Sequence, residues 1–333
     1  MRIEQARQIA QEWVREEGAG LPGFGGAFLT GSALWADPGE ELPPTSDVDV
    51  MVVEETAARI HHVGKFPYKG VLLEVSTTTP PGSPHEVLSD YHLAGSFHLP
   101  CVLADPSGRL TELQRIVSRD FAERPWILAR CTNAMDRVRG WINGMDESAP
   151  LPDQVSGWLF GTGVTAHVLL VAGLRNPTVR RRYAAVRDLL AEHGRLDFHE
   201  SLLDLLGCAD LDAARVRRHL AALAKAFDAA AAVRAPGYRF DSDISAAARP
   251  VAIDGTMELI EQGLHREAVF WLVATYTRCL AKQAAAGVPV RYEEEFHELL
   301  EDLGAQTFTD RRRRGDRVLA ALPGLWQTAM ALC

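Results

Sequence analysis

Phe28-Leu29-Thr30-Gly31-Ser32 and, after a polar loop, Asp47-Val48-Asp49-Val50-Met51-Val52-Val53 are the stretches on which the fold turns. Ala27 to Thr30 reads as a short apolar strand that stops at Gly31, and Ser32 stands where a helix N-cap is wanted. The loop between them, with Pro38-Gly39 and Pro43-Pro44, carries turn residues. Residues 47–53 then read as a strand, in which successive side chains point to opposite faces. Asp47 and Asp49 therefore share one face, and Val48, Val50 and Val52 pack on the other. A Gly-Ser turn entering a helix presents backbone N–H groups to an anion. Two carboxylates side by side call for a cation.

The next informative stretch is Lys65-Phe66-Pro67-Tyr68-Lys69-Gly70-Val71-Leu72-Leu73-Glu74-Val75-Ser76. It reads as two extended runs turned at Lys69-Gly70, the second spanning Val71 to Thr77, with Leu72, Glu74 and Ser76 on one face. If that run pairs with 47–53, Asp47, Asp49 and Glu74 converge. Magnesium is the natural partner for such a set, because it is a hard ion that takes oxygen ligands. Ser83 with Glu86 forms a capping-box signal. Leu99 to Ala104 is a further strand, and Asp105 is read as a former of the turn that follows it.

At 333 residues the chain is long enough for two domains. Residues 1–120 mix helical and extended patterns, beginning with a helix near 3–17, whereas 121–333 read almost wholly as helix. Amphipathic segments are expected near 109–120, 125–144, 153–174, 177–192, 210–234, 254–263, 265–285, 291–303 and 310–331. The fold class is thus α+β, a mixed sheet flanked by helices followed by an all-α bundle.

The formal charge is −9, and residues 1–120 hold 17 acids against 9 bases. An acidic first part with no basic tract disfavours nucleic acid as a partner, since phosphate neutralisation needs clustered positive charge. It tolerates metal ions and a cationic substrate. Five scattered cysteines, none in Cys-x-x-Cys spacing, fit a reducing cytoplasm and no zinc site. Gln154 to Leu174 lacks charged residues for about the length of a membrane span, but glycines, threonines and His167 dilute it, and a buried helix is expected. His61 and His62 lack partner ligands at metal spacing. The run Arg311 to Arg314 reads as a solvated face, as do Arg278 and Lys282. Trp126, Trp141, Trp158 and Trp271 are expected in the core.

Taken together, strand, Gly-Ser, loop, Asp-x-Asp and a later carboxylate resemble the nucleotidyltransferase superfamily related to DNA polymerase β, in particular the antibiotic nucleotidyltransferases that join such a domain to a helical one. The motif match spans residues 25–77. The resemblance implies an N-terminal nucleotidyltransferase fold over 1–120 and a helical substrate-binding domain over 121–333. It implies that Gly31 and Ser32 hold a triphosphate, that Asp47 and Asp49 bind two magnesium ions, and that Glu74 is the third carboxylate and a base. The reaction implied is transfer of AMP from ATP to a hydroxyl of a small molecule such as an aminoglycoside. A biosynthetic or protein-modifying adenylyltransferase, and a non-catalytic nucleotide-binding or toxin-antitoxin module, are the alternatives. Two departures stand out: a long gap between Ser32 and Asp47, and Ala33-Leu34-Trp35 where a basic residue often follows Gly-Ser. Lys65 and Lys69, in the hairpin before Glu74, and Arg278 with Lys282, which share a helix face at i, i+4, are the candidates to supply the missing charge, with a solvated surface the first expectation for each.

Overall fold

Strand β2 (Val48–Glu54) is central because Val48, Val50 and Val52 offer a β-branched, fully apolar face, and all three are buried. The computed structural model describes residues 1–55 and 62–333. On one side of β2 lies β1 (Phe24–Thr30), antiparallel, with Thr30 opposite Asp49. On the other lies β4 (Val71–Thr78), parallel, with Asp49 opposite Glu74. A hairpin through Lys69-Gly70 joins β3 (His62–Tyr68) to β4, and β5 (Val102–Ala104) pairs with β1. The order is β3-β4-β2-β1-β5. The run expected over 99–104 is a strand only at its last three residues.

Alternation is strict in β4, where Val71, Leu73 and Val75 are buried and Leu72, Glu74 and Ser76 are not. Helix α1 (Ile3–Glu16) lays Ala6, Ala10, Trp13 and Val14 into the sheet's apolar core, and Trp13 meets Phe66 at 5.7 Å between ring centroids. α2 (Ser32–Trp35), α3 (Pro84–Ser89), α4 (Tyr91–Phe97) and α5 (Arg109–Asp120) complete this part. The capping box at Ser83 and Glu86 forms as expected, and Asp105 accepts from the backbone N–H of Thr111 at 2.8 Å.

Every described element after Ala104 is helical: after α5 come α6 (Arg124–Asn143), α7 (Leu151–Ala172), α8 (Arg182–Glu192), α9 (Leu196–Leu206), α10 (Ala213–Ala231), α11 (Gly255–Glu261), α12 (Val269–Ala285), α13 (Glu293–Asp302) and α14 (Phe308–Leu332). With 14 α-helices and a five-stranded mixed sheet among the described residues, the protein is α+β. Two apolar cores are distinct: one draws on residues from Ala6 to Val117, the other on Tyr91 and residues from Ile127 to Ala329. The second centres on α7, long and apolar enough to cross a membrane but with 89% of its most apolar window buried in the protein.

Three expectations are corrected here. The arginines of 311–314 are for the most part not a solvated face. Arg311 donates to Ala305 O at 2.8 Å, Arg312 to Ile142 O at 2.9 Å and Arg314 to Gly304 O at 2.9 Å, so three of the four bond backbone carbonyls, two in the connection after α13 and one at the C-terminal end of α6. Only Arg313 keeps to the exterior, paired with Asp310. Helix α9 lies where no helix was expected. Trp141, expected in the core, stacks on Phe160 but is 44% exposed. Of the His61-His62 pair, His61 and the side chain of His62 lie outside the described residues.

Candidate functional site

The parallel register of β2 and β4 does the decisive work. Asp49 and Glu74 stand side by side on adjacent strands, and Asp47 precedes β2 by one residue. One oxygen from each of the three carboxylates lies within 4.8 Å of the other two. Such crowding has an electrostatic cost: burial first, then the charges of Asp47 and Glu74, push the Asp49 carboxyl well above the ordinary carboxylate range.

Lys65 sits opposite Glu74 on β3, so the hairpin carries its ammonium to the same cluster. Its Nζ donates to Oδ2 of Asp47, lies 2.8 Å from Oε2 of Glu74 and 3.7 Å from Oδ1 of Asp243. Burial opposes the ammonium charge, but Asp47, Glu74, Asp243 and Asp49 together outweigh it and raise the lysine pKa. One ammonium against the three clustered carboxylates leaves two negative charges among hard oxygen donors. That donor set fits magnesium.

Gly31 is required twice over at the end of β1. Its φ of 71° lies in the left-handed region, and a β-carbon there would overlap Oδ2 of Asp49. Gly31 itself takes the N-cap position and Ser32 is the first residue of α2, with no side-chain cap, a correction to the expected capping by Ser32. Arg7 holds this short helix by donating to Ala33 O (2.9 Å), Leu34 O (3.0 Å) and Ala36 O (2.7 Å). From α4, Ser96 Oγ donates to Thr30 Oγ1 at 2.9 Å.

These groups form one wall of a cavity of about 350 Å³ whose other walls come from the helices and the loops between them. The loop after α7 contributes Arg180, which donates through Nη2 to Thr45 O at 3.1 Å, while its Nη1 is buried without a hydrogen-bond partner among the described residues. Gly255 gives that guanidinium its place, since a β-carbon there would overlap Nη1. His167, inside α7, bonds Thr178 O at 2.9 Å and the Tyr91 hydroxyl at 3.2 Å, fixing the loop that carries Arg180. On the far side, the Arg278 guanidinium lies 4.1 Å from the ring centre of Phe240, 5.4 Å from that of Trp271 and 3.9 Å from Asp243.

Lys282 fixes the segment that carries Asp243. Its buried Nζ donates to Asp241 O (2.9 Å) and Ile244 O (2.7 Å) and pairs with the Asp241 carboxylate at 2.9 Å. Ser242 Oγ accepts from the Lys65 backbone N–H at 2.9 Å, tying that segment to β3. Neither Arg278 nor Lys282 is on a solvated face, and the expectation for both is corrected.

Gly31, Ser32, Asp47, Asp49, Lys65 and Glu74 all line the cavity. Lys69 does not. It sits in the turn beyond β3, four residues and about 13 Å of strand past Lys65, and its ammonium is taken by Glu12 at 2.9 Å and Glu16 at 3.1 Å. Sequence reasoning missed Arg180, Arg181 and Asp243. The first two fell inside a helix expected from 177, whereas α8 starts only at Arg182; Pro177 was the available signal against an earlier start. Asp243 had no strand or helix period around it to give it a face. Trp271, read as core, is buried in the helical core and also lines the cavity.

No protein-family model matches this chain, and no curated protein matches it.

Proposed function

We propose that the protein is a magnesium-dependent nucleotidyltransferase that moves a nucleoside monophosphate, AMP from ATP, onto a hydroxyl of a small molecule and releases pyrophosphate. The observation that most supports this reading is the convergence of Asp47, Asp49 and Glu74 within 4.8 Å of one another beside the Gly31-Ser32 turn, in a cavity with room for a nucleotide. Bound magnesium supplies charge stabilisation to the attacking and leaving oxygens of an in-line displacement. Asp47, Asp49 and Glu74 are the residues that would hold it.

The chain's own part is mostly positioning. Gly31 and Ser32 face the triphosphate from the sheet side, and Arg180, which lines the cavity from the helical side, takes the place of the basic residue absent after Gly-Ser. The acceptor oxygen bonds to the α-phosphorus as the bond from that phosphorus to the α,β-bridging oxygen breaks, and pyrophosphate leaves with the electron pair. Glu74 takes the hydroxyl proton, being the more accessible at 26% exposure against 13% for Asp47. The cysteines are all free and four are buried, and the proposal extends to a reducing, cytoplasmic setting.

One observation favours a second reading, a non-catalytic nucleotide-binding module: Lys65 already supplies a cation to Asp47 and Glu74. Pyrophosphate release from ATP with magnesium, assayed over a panel of hydroxylated acceptors with Asp49→Ala as control, separates the two. Release abolished by the substitution supports the transferase. ATP binding without release by any acceptor supports the binding module.

A further inference from the structure

The cavity wall that faces the carboxylates limits the kind of acceptor that can lie there, an inference that rests on the transferase reading above. From residues 176–278 this wall receives three guanidinium groups, Arg180, Arg181 and Arg278, and one carboxylate, Asp243. That carboxylate already has Lys65 Nζ at 3.7 Å and Arg278 Nη1 at 3.9 Å. His92 also lines the cavity, and burial, with help from Arg137, pushes its pKa down to about 4, so it is neutral near pH 7. Across the whole lining, the three clustered carboxylates and Asp243 are matched by Lys65 and the three arginines. A triphosphate brings its own divalent ions and adds little net charge. Among the described residues, no carboxylate on the acceptor side is left to balance a polycation, and Arg278, beside Asp243, repels one.

The same wall has a specific shape. The Arg278 guanidinium lies 4.1 Å from the ring centre of Phe240 and 5.4 Å from that of Trp271, and all three line the cavity beside Asp243. A planar guanidinium held beside aromatic rings and next to a carboxylate offers donors and an acceptor to neighbouring hydroxyls. We propose that the acceptor is an uncharged polyhydroxylated ring, a sugar or cyclitol, with its hydroxyls read by Arg278 and Asp243, and not a polycationic aminosugar.

The test uses the full chain with magnesium. Binding of neutral hexoses, cyclitols and methyl glycosides, and of kanamycin and streptomycin, is measured by calorimetry with α,β-methylene-ATP present; pyrophosphate release with ATP is measured on the same compounds. The expected result is that a neutral ring binds and supports release, with affinity nearly independent of salt. Arg278→Lys, which keeps the charge but not the planar stack, should weaken that acceptor roughly tenfold while leaving nucleotide affinity unchanged. Release with an aminoglycoside, weakening steeply with salt, overturns the acceptor class and leaves the transferase reading standing. Binding by no neutral ring also overturns it. Release by nothing, with nucleotide bound equally by wild type and Asp49→Ala, overturns the transferase reading and this inference together.

Discussion

Gly31 is a glycine because Asp49 occupies the space its side chain would take: a β-carbon would overlap Oδ2 of Asp49, and the backbone stands at φ 71°. The end of β1 and the start of β2 are therefore one unit, and the Gly31-Ser32 turn cannot change without moving a candidate metal ligand. Gly31→Ala should lower pyrophosphate release by roughly 100-fold, the scale of a displacement of about 1 Å in a reacting group, while the far-ultraviolet circular dichroism stays that of the wild type. Release within about twofold of wild type would show that the two positions are independent.

The raised pKa of Asp49 makes the site a liability to the metal-free fold. An unfolded aspartate titrates near ~3.9, and the folded one titrates well above its ordinary value, because of burial and then Asp47 and Glu74. The folded state thus holds the extra proton between those values. Its stabilising contribution is complete below the ordinary value and is lost as pH rises through the folded one. In EDTA, wild-type stability should decline with rising pH across that window, and Asp49→Asn should flatten the decline and melt at a higher temperature near neutrality. Added magnesium should raise the wild-type melting temperature and leave that of the variant unchanged. Coincident melting curves for the two proteins in EDTA would refute the assignment.

Lys65 neutralises one of the three carboxylate charges from a position only 6% exposed. Lys65→Met should strengthen manganese or magnesium binding by roughly tenfold in a calorimetric titration, since an internal competitor is gone. The same change should cost about 3–5 kcal/mol of stability without metal, as removing one partner of a buried ion pair does. Wild-type protein that takes up no divalent ion, alongside a variant that does, would favour the non-catalytic module.

Arg180 carries a distinct prediction, because it lines the cavity from the helical side and its Nη2 is fixed to Thr45 O. Arg180→Ala should weaken ATP binding by about 1.5–3 kcal/mol, the worth of a hydrogen bond to a charged group, and leave AMP binding almost untouched. Equal loss for AMP and ATP would place Arg180 away from the β- and γ-phosphates.

The carboxylate cluster was legible because its logic is local. Strand period puts Asp47 and Asp49 on one face, and the same rule applied to 71–77 puts Glu74 beside them once the strands pair in the observed register. Lys65 was read correctly as near the site but for phosphate, not as the counter-ion of the carboxylates, since only the register Lys65↔Glu74 reveals that role. Lys69 failed because, four residues past Lys65, it lies in the turn beyond β3, beside Glu12 and Glu16 of α1. Arg180 and Asp243 reach the cavity through helix packing from far along the chain, and nothing around them in sequence marks that approach. The run at 311–314 misled for a related reason: Arg311 and Arg314 turn back onto carbonyls of the connection just before their own helix, and Arg312 reaches Ile142 O, 170 residues away, and no periodicity in the run marks either contact.

The central claim is that this cavity breaks the bond beyond the α-phosphorus of a nucleotide, and labelled ATP tests it most directly. With magnesium and an acceptor, label at the α-phosphate should appear in the modified acceptor and label at the γ-phosphate in pyrophosphate, both lost in Asp49→Ala. Label from the γ-phosphate in the acceptor, or transfer that survives the loss of Asp49, would contradict the account.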